Sequence, residues 1–568
     1  MKTKSAFLLG CSVFLIILVV AFFLGMRYGK GPNVHSVGSD SWLVLDLKGE
    51  VPDYNEVRGS SFWGFGSPSS EDICRKIRQA GTDPKVKGIV IKPFGAVVGY
   101  ANLNEIAAAL KEFKAHKKPV LAHGEMLAQR DYLLCAMADK INMDPSASGA
   151  LLLEGVSANV LFYKDALAKL GIKMHVMQSG EYKGAAEPYT QTSLSPGTEA
   201  NLRRVLQSRY ELVMSDIGNY RQLDSTLVRN VFETRPDLFI NAQEALKYGL
   251  IDQTGTWDAF AAQNKIADDK CVSIADYANT SEPSFAANKI AVVNLSGSIA
   301  PGVGFASEAV ISAAKVDGIL DDITEDSSVK AVVLRVNSPG GSALESEMIY
   351  QKLQALKVPL VVSMGGMAAS GGYYISCAGD YIFADPQSIT GSIGVIMALP
   401  EAEELGNKLG LESQTLSYGK FANFGSILEK YDEELLASLK RNSTEVYAEF
   451  QQRVMDSRKI SAEEIGAVAE GRVFSAADAK AMKLIDEIGG LDEAVKKAAS
   501  LAKVTNYSAA HYPRKISFFE MFRSNGWFQM AVKMLSGREI SVEQRLLQYL
   551  EQAVPTRTWL YFCPFRLD

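Results

Sequence analysis

Residues 358–394 read VPLVVSMGGMAASGGYYISCAGDYIFADPQSITGSIG. Two apolar runs, 360–363 and 381–384, have strand character. Between them lie Gly365, Gly366, Met367, Ala368, Ala369, Ser370, Gly371 and Gly372, and then a helix-compatible stretch over 371–378. A lone serine in a glycine-rich turn is usually a turn residue. Here four glycines and two alanines surround one hydroxyl, so no bulky side chain covers it. The serine also stands where a helix begins, and free N–H groups and the positive dipole end there favour an oxyanion. The combination reads as a nucleophile.

The rest of the chain repeats this plan. Residues 42–51 (WLVLDLKGEV) align with 290–299 (IAVVNLSGSI), and 86–92 (VKGIVIK) with 329–335 (VKAVVLR). Residues 118–121 align with 358–361, 139–145 with 380–386, and Phe239 and 249–252 with Phe474 and 484–486. The offsets run near 234–248, so each half is one domain of about 230 residues. The expected division is 1–30, 40–268, a linker at 269–288, 289–505, and a tail at 506–568. Each half alternates short β-branched runs with helical patterns, as in the amphipathic stretch 105–116 before Pro119. That pattern predicts an α/β fold with a buried, largely parallel sheet.

The halves differ where chemistry would sit. At an offset of 241, Gln129 takes the place of Ser370, and Arg130 and Asp131 replace Gly371 and Gly372. The second half has Asn337-Ser338-Pro339-Gly340-Gly341-Ser342 after a strand; the first has residues 94–99, FGAVVG. Ser342 and Glu345 have capping-box spacing. Gly340 and Gly341 therefore put backbone N–H groups at a helix start, where one of them and the Gly371 N–H form a candidate oxyanion hole. The plainer alternative is a Pro-Gly turn and a cap. The first half lacks both the hydroxyl and the twin glycine.

A serine nucleophile needs a base. The histidines are His35, His116, His123, His175 and His511, and no Ser-His-Asp pattern is legible among them. A lysine serves if burial keeps its amine neutral. Lys183 follows an apolar run and is followed by the small residues Gly184, Ala185 and Ala186, although most lysines are simply solvated.

The 568 residues exceed one core. A net charge of −6 argues against a nucleic-acid partner. Cys11, Cys74, Cys135, Cys271, Cys377 and Cys563 show no C-x-x-C spacing, so no zinc or redox motif is expected. Residues 6–26 form a 21-residue run without a charge, long enough to span a bilayer. A cleaved signal peptide is the alternative, but no small-x-small site follows the run. An uncleaved anchor is expected, N-terminus inside, with everything after residue 30 outside the cytoplasm. Residues 51–70 read as a loop with exposed aromatics.

Together, residues 368–373 (AASGGY), 390–394 (TGSIG), 337–341 (NSPGG), and 182–185 (YKGA) with Glu187 and Pro188 resemble the signal peptide peptidase A family of serine peptidases, in its long tandem-domain (protease IV) form. The resemblance covers about residues 40–500 and the N-terminal run. It implies two tandem crotonase/caseinolytic-protease-like domains behind a transmembrane helix, and a Ser–Lys dyad. By motif, Ser370 is the nucleophile and Lys183 the general base. Ser392 hydrogen-bonds the lysine amine, and Gly371 with Gly340 or Gly341 supplies the oxyanion N–H groups. No metal or nucleotide is implied. Substrates would be remnant signal peptides, bound extended in an apolar groove, and the assembly a homotetramer in the inner membrane with its catalytic domains periplasmic.

One-domain members carry the lysine after the serine, where this chain has Lys420, a rival base in bulkier surroundings. The aromatic stretch 516–535 suits either a membrane surface or a subunit contact. A crotonase-type acyl-thioester enzyme and a non-enzymatic membrane scaffold are the other classes that the fold admits.

Overall fold

A computed structural model describes residues 37–58, 67–277, 286–302, 310–422, 424–517 and 560–562. The expected anchor at 6–26, residues 278–285 of the linker, and residues 518–535 of the aromatic stretch lie outside the described residues. Among the described residues, no helix is long and apolar enough to cross a membrane.

The first half lays down β1 (Ser41–Leu45), β2 (Val86–Ile91), β3 (Val120–Gly124) and β4 (Lys140–Met143). After them come β5 (Lys173–Ser179), β6 (Gln253–Thr254) and β7 (Cys271–Ser273). All but β5 form one parallel sheet, ordered β6-β4-β3-β2-β1-β7. The second half contributes β8 (Asn288–Ser296), β9 (Val329–Ser338), β10 (Gly340–Ser342), β11 (Leu360–Ala369) and β12 (Tyr381–Ala384). It continues with β13 (Ile389–Gly391), β14 (Val395–Glu401), β15 (Val473–Ser475), β16 (Glu487–Ile488) and β17 (Tyr507–Tyr512). Its parallel ladder runs β16-β12-β11-β9-β8-β17. The two ladders have the same order. Each half also has its own apolar core.

The repeat extends to individual bonds. Tyr132 donates its hydroxyl to the Leu250 carbonyl, and Tyr373 to that of Leu484, both at 2.8 Å. Asp139 accepts the Val120 N–H at 2.8 Å, and Asp380 the Leu360 N–H at 2.9 Å. These carboxylates satisfy the N–H groups that open β3 and β11, just after Pro119 and Pro359. The long helices α3 (Pro196–Arg221) and α5 (Glu433–Arg458) each have 26 residues and end on a left-handed residue, Gln222 and Lys459. Arg221 then pairs with Asp252, and Arg458 with Asp486, at 2.8 and 2.9 Å.

Four elements differ from the sequence reading. The strand expected at 360–363 continues to Ala369. Gly365 and Gly366 carry it past a register shift against β9, and Met367 N–H donates to Asn337 Oδ1 at 3.1 Å. The sheets also recruit edge strands beyond the expected halves. β7 lies in the expected linker, and β17 lies in the expected tail, where it pairs with β8 over six residues. The helix predicted at 105–116 is α1 (Tyr100–Ala115), starting five residues earlier.

The halves interlock through β5. This strand falls between β4 and β6 of the first sheet in sequence but pairs antiparallel with β14 of the second half, from Lys173↔Glu401 to Ser179↔Val395. On the other side of β14, Ile396 pairs with β18 (Leu560–Phe562), whose backbone also runs antiparallel to β10. α3 of the first half reaches β15, where Asn201 exchanges two hydrogen bonds with Val473, at 2.8 and 2.9 Å.

Candidate active site

Ser370 is the junction between β11 and a short helix, α4 (Gly371–Ser376). Its backbone has φ 57° and ψ −119°, a conformation that a side chain rarely adopts. The surroundings hold it there. Its N–H donates to the Gly391 carbonyl at 2.8 Å, and its carbonyl accepts the Tyr374 N–H at 2.9 Å. The hydroxyl does not cap its own helix. It points instead at an amine from the other half.

Lys183 Nζ lies 2.7 Å from Ser370 Oγ, 2.6 Å from the Ser392 carbonyl oxygen and 2.9 Å from Ser392 Oγ. All three residues are buried, with Lys183 only 1 % exposed. The β5–β14 register explains the encounter. It carries the first half's strand to Ser179, opposite Val395, so that Lys183, four residues on, arrives beside the Ser392 turn. Past the lysine, Glu187 is buried and accepts hydrogen bonds from Ser195 N–H, Ser195 Oγ and Thr198 Oγ1 at 2.9, 2.6 and 2.7 Å. These bonds tie the loop to the start of α3.

The glycine turns meet as well. A side chain on Gly371 would put its Cβ 3.3 Å from Gly340 Cα, so the two backbones are adjacent. Gly340 N–H donates to Ser338 Oγ at 3.1 Å, and Gly341 pairs with Ile299 and Tyr561 along the strand. Gly372 is required by contact, because a Cβ there would fall 2.7 Å from the Ser338 carbonyl oxygen.

The equivalent place in the first half is filled. Gln129 opens α2 (Gln129–Ala136) and exchanges hydrogen bonds with Gly155, accepting its N–H at 2.9 Å and donating to its carbonyl at 3.0 Å. Asp131 accepts the N–H groups of Gly95 and Ala96 at 3.1 and 2.9 Å. A glutamine and a carboxylate, each tied to backbone groups, thus stand where the second half has its hydroxyl and its second glycine.

The rival base lies elsewhere. Lys420 is exposed and pairs with Glu434. His123 is buried against Asn142 and Trp257, and burial pushes its imidazole down to about 4. His175 bonds Glu401 at 2.9 Å, and His511 stacks on Tyr54. His35 lies outside the described residues. Among the described residues, no group of three His, Cys, Asp or Glu could hold a metal.

The sequence reading missed the turn at 469–472. A Cβ on Gly471 would lie 2.5 Å from Lys183 N, so only glycine lets this turn press on the lysine backbone. Gly471 has φ 82°, and Glu470 beside it has φ 62°. An isolated Glu-Gly pair gives no signal of that kind.

Comparison with known proteins gives the family of the chain. The profile of peptidase family S49 matches residues 112–272 and 352–505, and that of Clp protease matches residues 313–389. The chain is 30% identical over 548 residues to Protease 4 of Salmonella typhi, covering 89% of this chain and 86% of the relative. It is 31% identical over 521 residues to Protease 4 of Haemophilus influenzae, covering 86% and 83%. It is 26% identical over 537 residues to the chloroplastic serine protease SPPA of Arabidopsis thaliana, covering 92% and 77%. The chain therefore belongs to peptidase family S49 and is a serine peptidase.

Proposed function

We propose that this serine peptidase works through a Ser370–Lys183 dyad, anchored in the inner membrane by residues 6–26, and degrades cleaved signal peptides on the periplasmic side. The observation that carries the dyad is the 2.7 Å approach of Lys183 Nζ to Ser370 Oγ inside the protein. Burial disfavours the ammonium form. A neutral amine has two N–H donors and one lone pair. Its donors meet the carbonyl and hydroxyl oxygens of Ser392, which leaves the lone pair for the Ser370 proton.

Lys183 takes that proton as Ser370 Oγ attacks the peptide carbonyl carbon. The N–H groups of Gly371 and of Gly340 or Gly341 stabilise the oxyanion. At Gly340 the oxyanion would replace Ser338 Oγ, a neutral acceptor, with a charged one. The lysine returns its proton to the leaving amine, and the acyl-enzyme forms. Water, deprotonated by the same amine, then releases the acid and restores the serine.

The substrate class rests on the family resemblance and on the mode of binding. β10 already accepts an antiparallel strand, the backbone of Leu560–Phe562. An extended peptide binds a sheet edge in the same way. The anchor rests on the charge-free run, and the tetramer on the resemblance alone.

A fluorophosphonate probe tests the reading. It labels the wild-type chain in proportion to its peptidase activity and leaves Ser370→Ala unlabelled and inactive. Labelling of Ser370→Ala to the same extent would remove Ser370 from the role. A chain without residues 1–30 should leave the membrane fraction and keep its activity on soluble peptides.

A further inference from the structure

We infer that Glu470, held by Tyr447, is the positioning residue that keeps Lys183 in register with Ser370; this rests on the dyad reading above. The lysine comes from the first half and the serine from the second, so something in the second half must hold the lysine's loop. The turn at 470–472 does so from both sides. Toward the lysine, Tyr182 N–H donates to the Glu470 carbonyl at 2.7 Å, and Glu181 N–H to Glu470 Oε2 at 3.0 Å. Toward the serine, Gly471 N–H donates to the Ile393 carbonyl at 2.7 Å, and Ser392 N–H to the Arg472 carbonyl at 2.6 Å. One three-residue turn thus fixes the backbone beside Lys183 and the backbone of the residue that receives its amine.

The Glu470 side chain secures the turn. Tyr447 donates its hydroxyl to Glu470 Oε1 at 2.9 Å, and the same hydroxyl oxygen accepts the Glu470 N–H at 3.0 Å. This closed loop of bonds holds Glu470 at a positive φ that it would not keep unaided. Tyr447 stands on α5, one helical turn after Ser443, whose hydroxyl bonds Ser179 at 2.9 Å at the end of β5. One face of α5 therefore holds the lysine-bearing segment twice, directly at the buried Ser443 and, through Glu470, at Tyr447. A misplacement near 1 Å costs a reaction about a hundredfold.

Steady-state kinetics on a peptide substrate test this. Glu470→Ala should lower kcat tenfold to a hundredfold with KM within about twofold. Its kcat–pH profile should move to higher pH, because a loosened amine regains water and holds its proton. Glu470→Gln should recover most of kcat, since an amide can accept from Glu181 N–H and donate to Tyr447. Tyr447→Phe keeps the ring packing and so remains readable if Glu470→Ala does not fold. It should shift kcat and pH profile in the same direction, and the double variant should be no worse than Glu470→Ala alone. Wild-type kcat and pH profile in Glu470→Ala and Tyr447→Phe, beside an inactive Lys183→Ala, would overturn the positioning role and leave the dyad standing. An active Lys183→Ala would overturn the dyad and the positioning role together.

Discussion

Lys183 and Ser370 stand 187 positions apart in the chain, and their Nζ and Oγ atoms are 2.7 Å apart. The distance is set by pairing between halves. β5 crosses from the first half to β14 of the second, and the turn at 470–472 fixes the loop that follows. On the proposed dyad, the serine is activated only where the two halves are docked.

Ser392 is the first place to perturb that arrangement. Ser392→Ala removes a hydroxyl partner of the amine and keeps the carbonyl one. A single hydrogen bond of this kind contributes about 1 kcal/mol, so kcat should fall several-fold to about tenfold with KM unchanged. Steady-state kinetics on a peptide substrate read this. An unchanged kcat would mean that the hydroxyl does not orient the base.

Gly372→Ala tests the oxyanion turn. Its Cβ would fall 2.7 Å from a backbone oxygen, Ser338 O, which cannot swing aside. The turn that carries Gly371 must then move, and activity should fall at least about a hundredfold. Gly318→Ala is the control. It lies on the helix Ala313–Glu325 with nothing within 4 Å of the added atom, so stability should rise slightly and activity persist.

Asp385 gives a pH dependence of stability. It sits between the halves, accepting from Asn104 Nδ2 and from Gln387 N–H, both at 2.8 Å, and burial pushes its carboxyl up to about 7. The unfolded carboxyl loses its proton near pH 4, the folded one near 7. Between those values the folded state binds more protons, so stability falls as pH rises from about 4 to about 7 and then levels. Asp385→Asn should flatten that slope and raise stability at pH 8 by on the order of a few kcal/mol. Urea unfolding at pH 5 and pH 8 reads the difference. Equal slopes in the two proteins would assign the dependence to other groups.

The C-terminal strand makes a different prediction. Leu560–Phe562 pairs along Gly340–Ser342, the edge on which a peptide substrate would lie. A chain ending at residue 555 should therefore show a lower KM for a peptide substrate at similar kcat. An equal or higher KM would mean that peptides bind elsewhere.

Much of this was legible in the sequence, for local reasons. Ser370 stands out because small residues crowd around it, whereas Lys183, one lysine among many solvated ones, is singled out by the family resemblance. The repeat is legible because buried parallel strands read as β-branched runs at matching offsets. What could not be read is non-local. Periodicity does not say that β5 leaves its own half to pair with β14. The edge strands β7 and β17 have three and six residues and gain their structure from the neighbour they join. Glu470 and Gly471 have no motif, and their role comes from positive φ and close contact with a segment nearly 290 positions away.

The measurement that bears most directly on the central claim is peptide cleavage by Lys183→Ala and Lys420→Ala beside the wild-type chain. The account predicts that Lys183→Ala loses activity by at least about a thousandfold, as removal of a dyad member should, while Lys420→Ala stays near wild type. Retained activity in Lys183→Ala, or its loss in Lys420→Ala instead, would contradict it.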